Sequence, residues 1–365
     1  MVQRTRRDPR LTLHTHQSNQ GCPFRHPCVM GSSRVSVSPS ALAAGHVPVL
    51  RDEAIAALLP RAGGRYVDGT FGGGGHTRAL LAASGPDGVV LALDADPAAI
   101  ARAEALRADQ EFAARLIPVQ SNFADLADVA QEHAFVPVDG VLLDLGLSSF
   151  QLDTPERGFA FRLDGPLDMR FDPTRGVPAS ELVNTLPEAE LADVIWRFGE
   201  EPGSRRIARA VVRERKEGPI ESTGQLAAIV ERALGGRRGR DTHPATRTFQ
   251  ALRIATNDEM GVLESALAGA VDVLAPGGRL AVIAFHSLED RQVKRFIERE
   301  SATCVCPPEL PICVCNHQPR LQRVTRRAIR PSADEAAANP RARSAVLRVA
   351  ERFPASFSDV SGDHA

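Results

Sequence analysis

The hydrophobic pattern from His46 onward alternates between short apolar runs and amphipathic segments. The runs are rich in Val, Leu, Ile and Ala, which is typical of strands buried on both faces. We predict strands at Arg65–Asp68, Val89–Asp94, Arg115–Val119, Gly140–Asp144 and Arg279–Phe285. Apolar residues at helical spacing predict helices at Val49–Leu59, Thr77–Ala83, Pro97–Ala105, Phe123–His133 and Asp258–Leu274. This alternation indicates an α/β fold with a mostly parallel sheet covered by helices on both faces.

The alternation stops between residues 151 and 242, where strand signals are absent. A loop rich in Gly, Pro and Asp opens this stretch, and amphipathic helices are predicted at Glu188–Phe198, Ser204–Lys216 and Thr223–Leu234. We therefore predict a helical insertion, used for substrate recognition, that divides the α/β domain into residues 46–150 and 243–353. A strand-like run at Ser344–Glu351 is expected to return to the sheet.

The two ends of the chain differ from the rest. Residues 1–45 are rich in Arg and Ser, contain Asp8 as their one acid and have no clear periodicity. This composition resembles an organelle transit peptide, but we favour a disordered leader or a start nearer Met30. Residues 354–365 are also expected to be disordered. Because no apolar run approaches the roughly 18 residues that span a bilayer, we expect a soluble, cytoplasmic protein that does not contact a membrane.

The charge distribution restricts how the protein can bind a nucleic acid. The formal net charge is −1, so a nucleic-acid surface must be a local patch. Basic residues cluster at Arg205, Arg206, Arg209, Arg213, Arg215 and Lys216, at Arg237, Arg238, Arg240 and Arg247, and at Arg320, Arg323, Arg326, Arg327 and Arg330. The first cluster can also be a solvated helix face paired with Glu214 and Glu217. For the glycine-rich loop at residues 237–240 we favour phosphate contact.

A glycine-rich segment, Asp68-Gly69-Thr70-Phe71-Gly72-Gly73-Gly74-Gly75-His76, follows the first predicted strand. Glycine permits positive φ angles and close approach to a ligand, and open α/β sheets bind ligands at the carboxyl ends of their strands. The dinucleotide and P-loop patterns are absent, because Thr77 and Arg78 occupy the place of the third glycine and no Gly-Lys-Ser/Thr follows. An acid before the glycines is instead the S-adenosylmethionine pattern. We predict that Gly73, Gly74 and Gly75 bind this cofactor and that Asp68 receives its ammonium group, directly or through water.

Further polar and aromatic residues follow the later strands. Asp94 ends the second strand, where a carboxylate can accept both hydroxyls of a ribose; Asp96, which precedes Pro97, fits a helix N-cap better. Phe123 is expected to pack on an adenine or to belong to the core. Asp144 ends the fourth strand, which lies beside the first in a doubly wound sheet. The side chain of Asp144 should therefore face the reacting methyl group.

These motifs, in this order and spacing, resemble the bacterial small-subunit ribosomal RNA cytosine-N4 methyltransferases. The resemblance covers nearly all of residues 46–353 and rests on the segments His46–Leu50, Asp68–His76, Asp144–Ser149, Gln151–Asp153, Glu156–Phe159, Gly165–Arg170, His243–Arg253, Pro276–Leu280, Phe285–Arg291 and Asn339–Arg343. Phe150 departs from the family pattern, in which proline is common at this position.

The resemblance implies a Rossmann-like class I methyltransferase with a helical insertion. It implies N4-methylation of a cytidine in the decoding region of 16S ribosomal RNA, within a small-subunit particle; a homodimer is left open. The cofactor contacts that it implies are Gly74, Gly75, His76, Asp94, Phe123, Asp144 and Gln151.

The reaction needs acceptors on the amine, since the cytosine N4 lone pair is delocalised into the ring. Our candidates are Asp144, Ser148, Asp168 and His286. Asp168 can instead be a structural partner of Arg170, and His286 a satisfied structural histidine. The loop after the fourth strand lacks the two prolines common in other amino-methyltransferases, so their geometry does not transfer directly.

Two other functional classes compete with this interpretation. One is an RNA-binding ribosome assembly factor that has lost catalysis, which the intact Asp68, Asp94 and Asp144 disfavour. The other is an S-adenosylmethionine enzyme acting on DNA, such as a DNA cytosine-N4 methyltransferase, or on a small molecule. The arginine-rich insertion disfavours a small substrate but does not separate DNA from RNA.

The cysteines form a separate motif. Of the six cysteines, Cys304, Cys306, Cys313 and Cys315 lie in one short segment, with His317 close by. Such a group can hold zinc tetrahedrally, but the C-x-C spacing is tighter than the usual C-x₂₋₄-C. We favour reduced thiols on a loop and assign no metal from the sequence.

Overall fold

The computed structural model of the protein describes residues 48–237, 242–307, 309–310 and 312–354. The predicted leader, Arg238 and Arg240 lie outside these residues, as does the predicted tail after residue 354. None of the helices in the described ranges is long and apolar enough to cross a membrane.

The core of the fold is a seven-stranded sheet with the order β3-β2-β1-β4-β5-β7-β6. Its strands are β1 (Arg65–Asp68), β2 (Val89–Asp94), β3 (Leu116–Gln120), β4 (Val138–Asp144), β5 (Leu274–Ala284), β6 (Leu321–Arg323) and β7 (Val346–Arg352). Strands β1 to β5 are parallel, whereas β7 is antiparallel to β5 and β6 is antiparallel to β7. The mostly parallel α/β sheet and the return of the last strand to it are confirmed.

The register brings the ends of three strands to one edge of the sheet. Asp68 of β1 pairs with Ala92 of β2 and with Leu142 of β4. Asp94 and Asp144 end β2 and β4. Because parallel strands present their carboxyl ends together, these carboxylates converge where the order of connections reverses, which is the usual ligand site of such sheets.

The helices are α1 (Arg51–Leu58), α2 (Gly75–Ala83), α3 (Pro97–Arg107), α4 (Leu126–Glu132), α5 (Ser149–Asp153), α6 (Ala179–Thr185), α7 (Glu188–Gly199), α8 (Ser204–Glu214), α9 (Thr223–Ala233), α10 (Thr246–Asn257), α11 (Glu259–Val273), α12 (Ser287–Glu300) and α13 (Ala333–Ala338). One apolar core joins the sheet to α1, α2 and α3, and another joins it to α4, α11 and α12. Leu142 belongs to the first core and Leu143 to the second. Successive strand residues thus face opposite layers, which explains the continuous apolar runs.

Within the predicted insertion, residues 179–233 form helices α6 to α9 around a third core. This core contains Ile195, Ile207 and Val230, and α10 adds Phe249 and Leu252 to it. The three helices predicted in this stretch are confirmed. Helix α10, which the sequence assigns to the second part of the α/β domain, packs on the insertion as well, so the two parts share a helix at their junction.

The sequence predictions miss several elements. No helix was predicted at α10 or α12, and no strand at β6. Helix α12 carries mostly charged residues, and only Val293, Phe296 and Ile297 among its apolar positions are buried. The predicted helix Phe123–His133 is in fact a 3₁₀ turn, Phe123–Asp125, followed by α4.

Candidate active site

The glycine loop between β1 and α2 is fixed to both neighbouring strands. The Gly69 amide donates to the Leu142 carbonyl of β4 at 2.9 Å, and the Phe71 amide donates to the Leu93 carbonyl of β2 at 2.9 Å. Gly74 has φ +76° and caps α2. A Cβ atom at Gly74 would lie 2.6 Å from Cζ of Phe71. The loop therefore has one tight backbone path, and glycine is required at residue 74 for both conformation and space.

The side chain of Asp68, at the end of β1, stabilises the glycine loop. Its side chain is fully buried, accepts the Thr77 hydroxyl at 2.6 Å and accepts the Thr70 amide at 3.1 Å. In this conformation Asp68 faces the loop and the start of α2 and has no surface left for a ligand. Asp68 therefore supports the loop in this structure, and its contact with a ligand ammonium, directly or through water, stays a prediction.

Asp94 lies where a ribose-binding carboxylate is expected. Its Oδ2 accepts the Gly72 amide at 2.7 Å and its Oδ1 accepts the Asp96 amide at 2.9 Å. Each carboxylate oxygen can accept more than one hydrogen bond, so Asp94 retains acceptor capacity for hydroxyl groups. Burial is the main cause that raises the pKa of Asp94 to about 6, and the two amides oppose it.

Asp96 caps α3, as the sequence predicts, and also joins the insertion to the sheet. Its Oδ1 accepts the Ala98 amide at 3.0 Å, and Pro97 is the first helical residue. Its Oδ2 accepts Nη1 of Arg157 at 2.6 Å and Nε2 of Gln151 at 3.1 Å. Asp96 is nearly fully buried, so this ion pair is shielded from water.

Asp144 differs from the other carboxylates of the site in its hydrogen bonding and its pKa. Its backbone amide donates to the Thr70 hydroxyl at 2.7 Å, which ties β4 to the glycine loop. Its Oδ1 is buried and, among the residues that the structure describes, has no hydrogen-bond partner. Burial first, and then the negative charges of Asp68 and Glu289, raise the pKa of Asp144 well above its ordinary value. A buried polar atom without a partner is costly, so Asp144 is poised to accept a donor from a ligand.

Ser148 and Gln151 form a capping box at the start of α5. The Gln151 amide donates to the Ser148 hydroxyl at 3.2 Å, and the Ser148 amide donates to Oε1 of Gln151 at 3.0 Å. Gln151 is buried, and its Nε2 is used by Asp96. Ser148, a candidate acceptor for the amine, thus has a structural partner, and Gln151 is bonded to Asp96, which follows β2.

His76 lies in the first turn of α2 and is buried. Neither ring nitrogen has a hydrogen-bond partner within the described ranges. Burial, its largest cause, lowers the pKa of His76, so the imidazole is neutral at physiological pH.

Phe123 and Phe150 flank the glycine loop. A Cβ atom at Gly69 would lie 3.3 Å from Cβ of Phe123, which is half-buried against the core. A Cβ atom at Gly73 would lie 3.1 Å from Cε2 of Phe150. The ring of Phe150 also stacks under the Arg102 guanidinium, 4.2 Å from the ring centroid. The aromatic residue that departs from the family pattern therefore packs on the loop.

Two of the candidate acceptors are engaged in structural pairs. Asp168 accepts Nε and Nη2 of Arg170 at 2.8 and 2.7 Å. Burial opposes ionisation of Asp168, but the bonds from Arg170 outweigh it and lower its pKa. His286 caps α12, where its Nδ1 accepts the Glu289 amide at 3.4 Å and its Nε2 lies 3.0 Å from Oε1 of Glu289. This geometry favours the structural alternative for Asp168 and for His286.

Several site residues escape the sequence analysis. Thr70 binds Asp144, Glu289 acts on it electrostatically, and Arg102 and Arg157 hold the loop and the insertion. A buried acid in the first turn of a helix after a strand could have pointed to Glu289, but the helix itself was not predicted. The partners of the two arginines are distant in sequence.

The strand order, the glycine loop and the acids that end β1, β2 and β4 define a class I S-adenosylmethionine-dependent methyltransferase. The chain matches the MraW methylase family over residues 43–353 and belongs to that family. The family expected from the sequence motifs is thereby confirmed.

Three proteins that are similar to this chain carry the same name. A protein of Thermomicrobium roseum is 60% identical over 312 residues, which cover 86% of this chain and 95% of the relative. One of Dehalococcoides mccartyi is 53% identical over 309 residues, with 84% and 86% covered, and one of Syntrophus aciditrophicus is 51% identical over 309 residues, with 84% and 98% covered. Each of the three is named a ribosomal RNA small subunit methyltransferase H.

The site has the features that S-adenosylmethionine requires. Among the described residues Oδ1 of Asp144 lacks a donor, Asp94 has free acceptor capacity, and the loop leaves no room for a side chain at Gly74 and little at Gly73. We propose that these residues hold the cofactor, together with Gly75, His76, Phe123 and Gln151.

We expect cofactor affinity to depend on the ionisation of Asp94. In the free protein Asp94 takes up a proton below about pH 6, and hydroxyl donors favour its ionised form. Affinity for S-adenosylhomocysteine should therefore be full above this pH and fall about tenfold per unit below it. Asp94→Ala should weaken binding by about 1–3 kcal/mol. Calorimetry as a function of pH measures both effects.

Asp94→Asn is the matched control, because the amide cannot titrate. Its affinity should be low and nearly independent of pH. A wild-type affinity that stays constant from about pH 5 to 8 would remove Asp94 from the ribose site.

Proposed function

We propose that the protein methylates the N4 amine of a cytidine in the decoding region of small-subunit (16S) ribosomal RNA. Support comes from the naming of its close relatives and from the sequence motifs. The observation that carries the chemistry is Asp144, with a buried oxygen that lacks a partner at the edge of the sheet beside the glycine loop.

The N4 amine of cytosine is a weak nucleophile because its lone pair is delocalised into the ring. Bound S-adenosylmethionine supplies an electrophilic methyl group on a sulfonium. Asp144 accepts one N–H of the amine, which orients the lone pair and stabilises the positive charge that grows on nitrogen. Methyl transfer to N4 would break the bond between the methyl group and sulfur and leave S-adenosylhomocysteine, and the methylated amine would then give up one proton. Asp144 can take it, because burial and the charges of Asp68 and Glu289 raise its pKa.

The other candidate residues, Ser148, Asp168 and His286, position Asp144 or the substrate. His286 and Glu289 hold the start of α12, and the Glu289 carboxylate also accepts the Phe285 amide at 2.8 Å. Ser148 fixes the loop that follows β4, and Asp168 fixes Arg170. We infer that these groups keep the walls of the site rigid, whereas Asp144 contacts the reacting atoms.

The insertion is proposed to bind RNA backbone within a small-subunit particle in the cytoplasm. Of the basic residues on α8, Arg209 pairs with Glu188 at 3.5 Å and Arg213 with Glu214 at 3.2 Å. Arg205 and Arg206 are exposed and, within the described ranges, pair with no carboxylate. As far as the described residues show, these two guanidinium groups are therefore the ones on α8 that are free for phosphate.

We expect Arg205→Ala with Arg206→Ala to weaken RNA binding and to reduce its salt dependence. Each lost phosphate contact should lower the slope of log affinity against log salt by about 0.7–0.9. Filter binding to small-subunit RNA over a salt series measures this slope. Arg107→Ala, which removes an exposed arginine paired with Glu104 on α3, is the control; equal slopes for all three proteins would contradict the assignment.

The proposed reaction is tested by mass mapping of ribosomal RNA nucleotides from cells with and without the gene. One methylated cytidine of the small-subunit RNA should lose its N4-methyl group in the deletion and regain it on complementation. Purified protein should restore it in vitro with S-adenosylmethionine and undermethylated particles. An unchanged cytidine modification profile, or a change only in DNA, would refute the proposal.

A further inference from the structure

The cysteine segment connects α12 to β6 and plays no part in the site described above. The Sγ atoms of Cys304, Cys306, Cys313 and Cys315 all lie within 4.8 Å of one another. The two C-x-C pairs are thus folded onto each other. The sequence favours reduced thiols on a loop over a metal, whereas this convergence of the four sulfurs favours the metal.

The sulfur spacings match a tetrahedral metal site. Neighbouring Sγ atoms are 4.0 Å apart for Cys306 and Cys313, 3.5 Å for Cys313 and Cys315, and 3.9 Å for Cys315 and Cys304. With a zinc–sulfur bond of about 2.3 Å, the edge of a regular tetrahedron is about 3.8 Å. A disulfide would need about 2.05 Å, and all four cysteines are free.

The backbone around the sulfurs is arranged for thiolates. The Cys306 amide donates to Sγ of Cys304 at 3.4 Å, the Val314 amide to Sγ of Cys306 at 3.4 Å and the Val305 amide to Sγ of Cys315 at 3.5 Å. Neutral sulfur is a weak acceptor, whereas N–H groups directed at a charged acceptor are stabilising. Outer hydrogen bonds of this kind orient metal ligands.

The described residues of this segment form no apolar core that would otherwise hold it together. Val305, Leu310, Ile312 and Val314 are 43%, 47%, 74% and 70% exposed. Its ends are anchored, since Nε2 of His317 lies 2.9 Å from the Arg299 carbonyl and the Arg320 amide donates to the Glu300 carbonyl at 2.8 Å. The folded path between these anchors therefore depends on the cysteine cluster.

We propose that Cys304, Cys306, Cys313 and Cys315 bind one structural zinc ion as four thiolates, each releasing its proton to solvent. Four soft sulfur ligands select zinc over the hard cations calcium and magnesium. Four protein ligands complete the tetrahedron and leave no open position, which is typical of a structural and not a catalytic site. The ion fixes the connection between α12 and β6.

Metal analysis of the full-length protein, purified without chelator from cells grown with zinc, is the first test. We expect about one zinc per chain, and replacement by cobalt should give the visible absorption of a tetrahedral cobalt thiolate. Protein without metal, whose four thiols are alkylated at the same rate with and without added zinc, would overturn the proposal. Stoichiometric iron in place of zinc would overturn the choice of metal.

Variants locate the ligands. Cys304→Ser and Cys313→Ser should each weaken zinc binding by more than the 10–100-fold typical of outer-shell changes. Cys22→Ser with Cys28→Ser, which removes the other two thiols of the chain, and His317→Ala should retain the metal. Zinc retained by both single variants would overturn the assignment. Because a variant can fail to fold, chelator-dependent alkylation of the wild-type thiols gives an independent result.

Discussion

Replacement of Asp144 by alanine is expected to reduce methylation by about 10³-fold or more, whereas binding of RNA should change little. The loss follows from the removal of a carboxylate at the end of β4 whose buried Oδ1 has no hydrogen-bond partner among the described residues. Loss of a single preorganised electrostatic group costs about 10²–10³-fold, and loss of the proton acceptor adds to it. Single-turnover methylation of undermethylated small-subunit particles measures the effect.

Asp144→Asn separates the two roles of this residue. Asparagine keeps an acceptor oxygen but neither stabilises charge nor takes a proton, so partial activity would indicate that orientation dominates. The variant should also be more stable than the wild type. The pKa of Asp144 is higher in the folded protein than in the unfolded chain. The wild type therefore loses stability as the pH rises and Asp144 ionises. The neutral amide of asparagine does not ionise, so the variant keeps this stability.

Asp139→Asn is the control on the same strand. Asp139 pairs with Arg61 at 2.6 Å near the start of β4, at the other end of the strand. This variant should methylate like the wild type. Wild-type turnover by Asp144→Ala would show that the active site lies elsewhere.

The second large effect is expected from Gly74→Ala, which should weaken binding of S-adenosylhomocysteine by about 10–100-fold. The methyl group would lie 2.6 Å from Cζ of Phe71, and residue 74 has φ +76°. A non-glycine residue in this region costs about 1–3 kcal/mol, and the clash with the ring forces the loop to move. Calorimetry compares the variant with the wild type.

Gly176→Ala controls for the backbone strain alone. Gly176 has φ +70° but nothing within 4 Å of the added methyl group. This variant should lose some stability while its cofactor affinity stays unchanged. Equal cofactor affinity of the wild type and Gly74→Ala would mean that the loop does not form the cofactor site as described.

The sequence predicts best those features that depend on local patterns. The bounds of β1 and β2 agree with prediction because their apolar runs end at acids before loop residues. The cap at Asp96 was found because a side-chain acceptor before Pro97 is a local signal. The adjacency of β1 and β4 follows from the doubly wound order.

What escaped prediction depends on contacts between residues distant in sequence. Thr70 binds the backbone of Asp144, and Glu289 shifts its pKa from the start of an unpredicted helix. The fully buried state of Asp68 could not be inferred either, since the same acid-before-glycine pattern serves a ligand contact or a loop support. His76 and Gln151 were reached only through the family resemblance.

The buried ion pair of Asp96 and Arg157 connects the proposed cofactor site to the insertion. Asp96 caps the helix that follows Asp94, the carboxylate proposed to bind the ribose, while Arg157 also donates to the Arg170 and Phe171 carbonyls at the base of the insertion. The Asp96 carboxylate thus contacts both the helix beside the proposed cofactor site and the insertion. If cofactor binding shifts Asp96, we expect the backbone at Arg170 and Phe171 to shift with it, and linkage makes any influence between the cofactor site and the proposed RNA-binding insertion reciprocal. A particle that is bound more tightly by the filled enzyme must, by the same factor, raise the affinity of the enzyme for the cofactor.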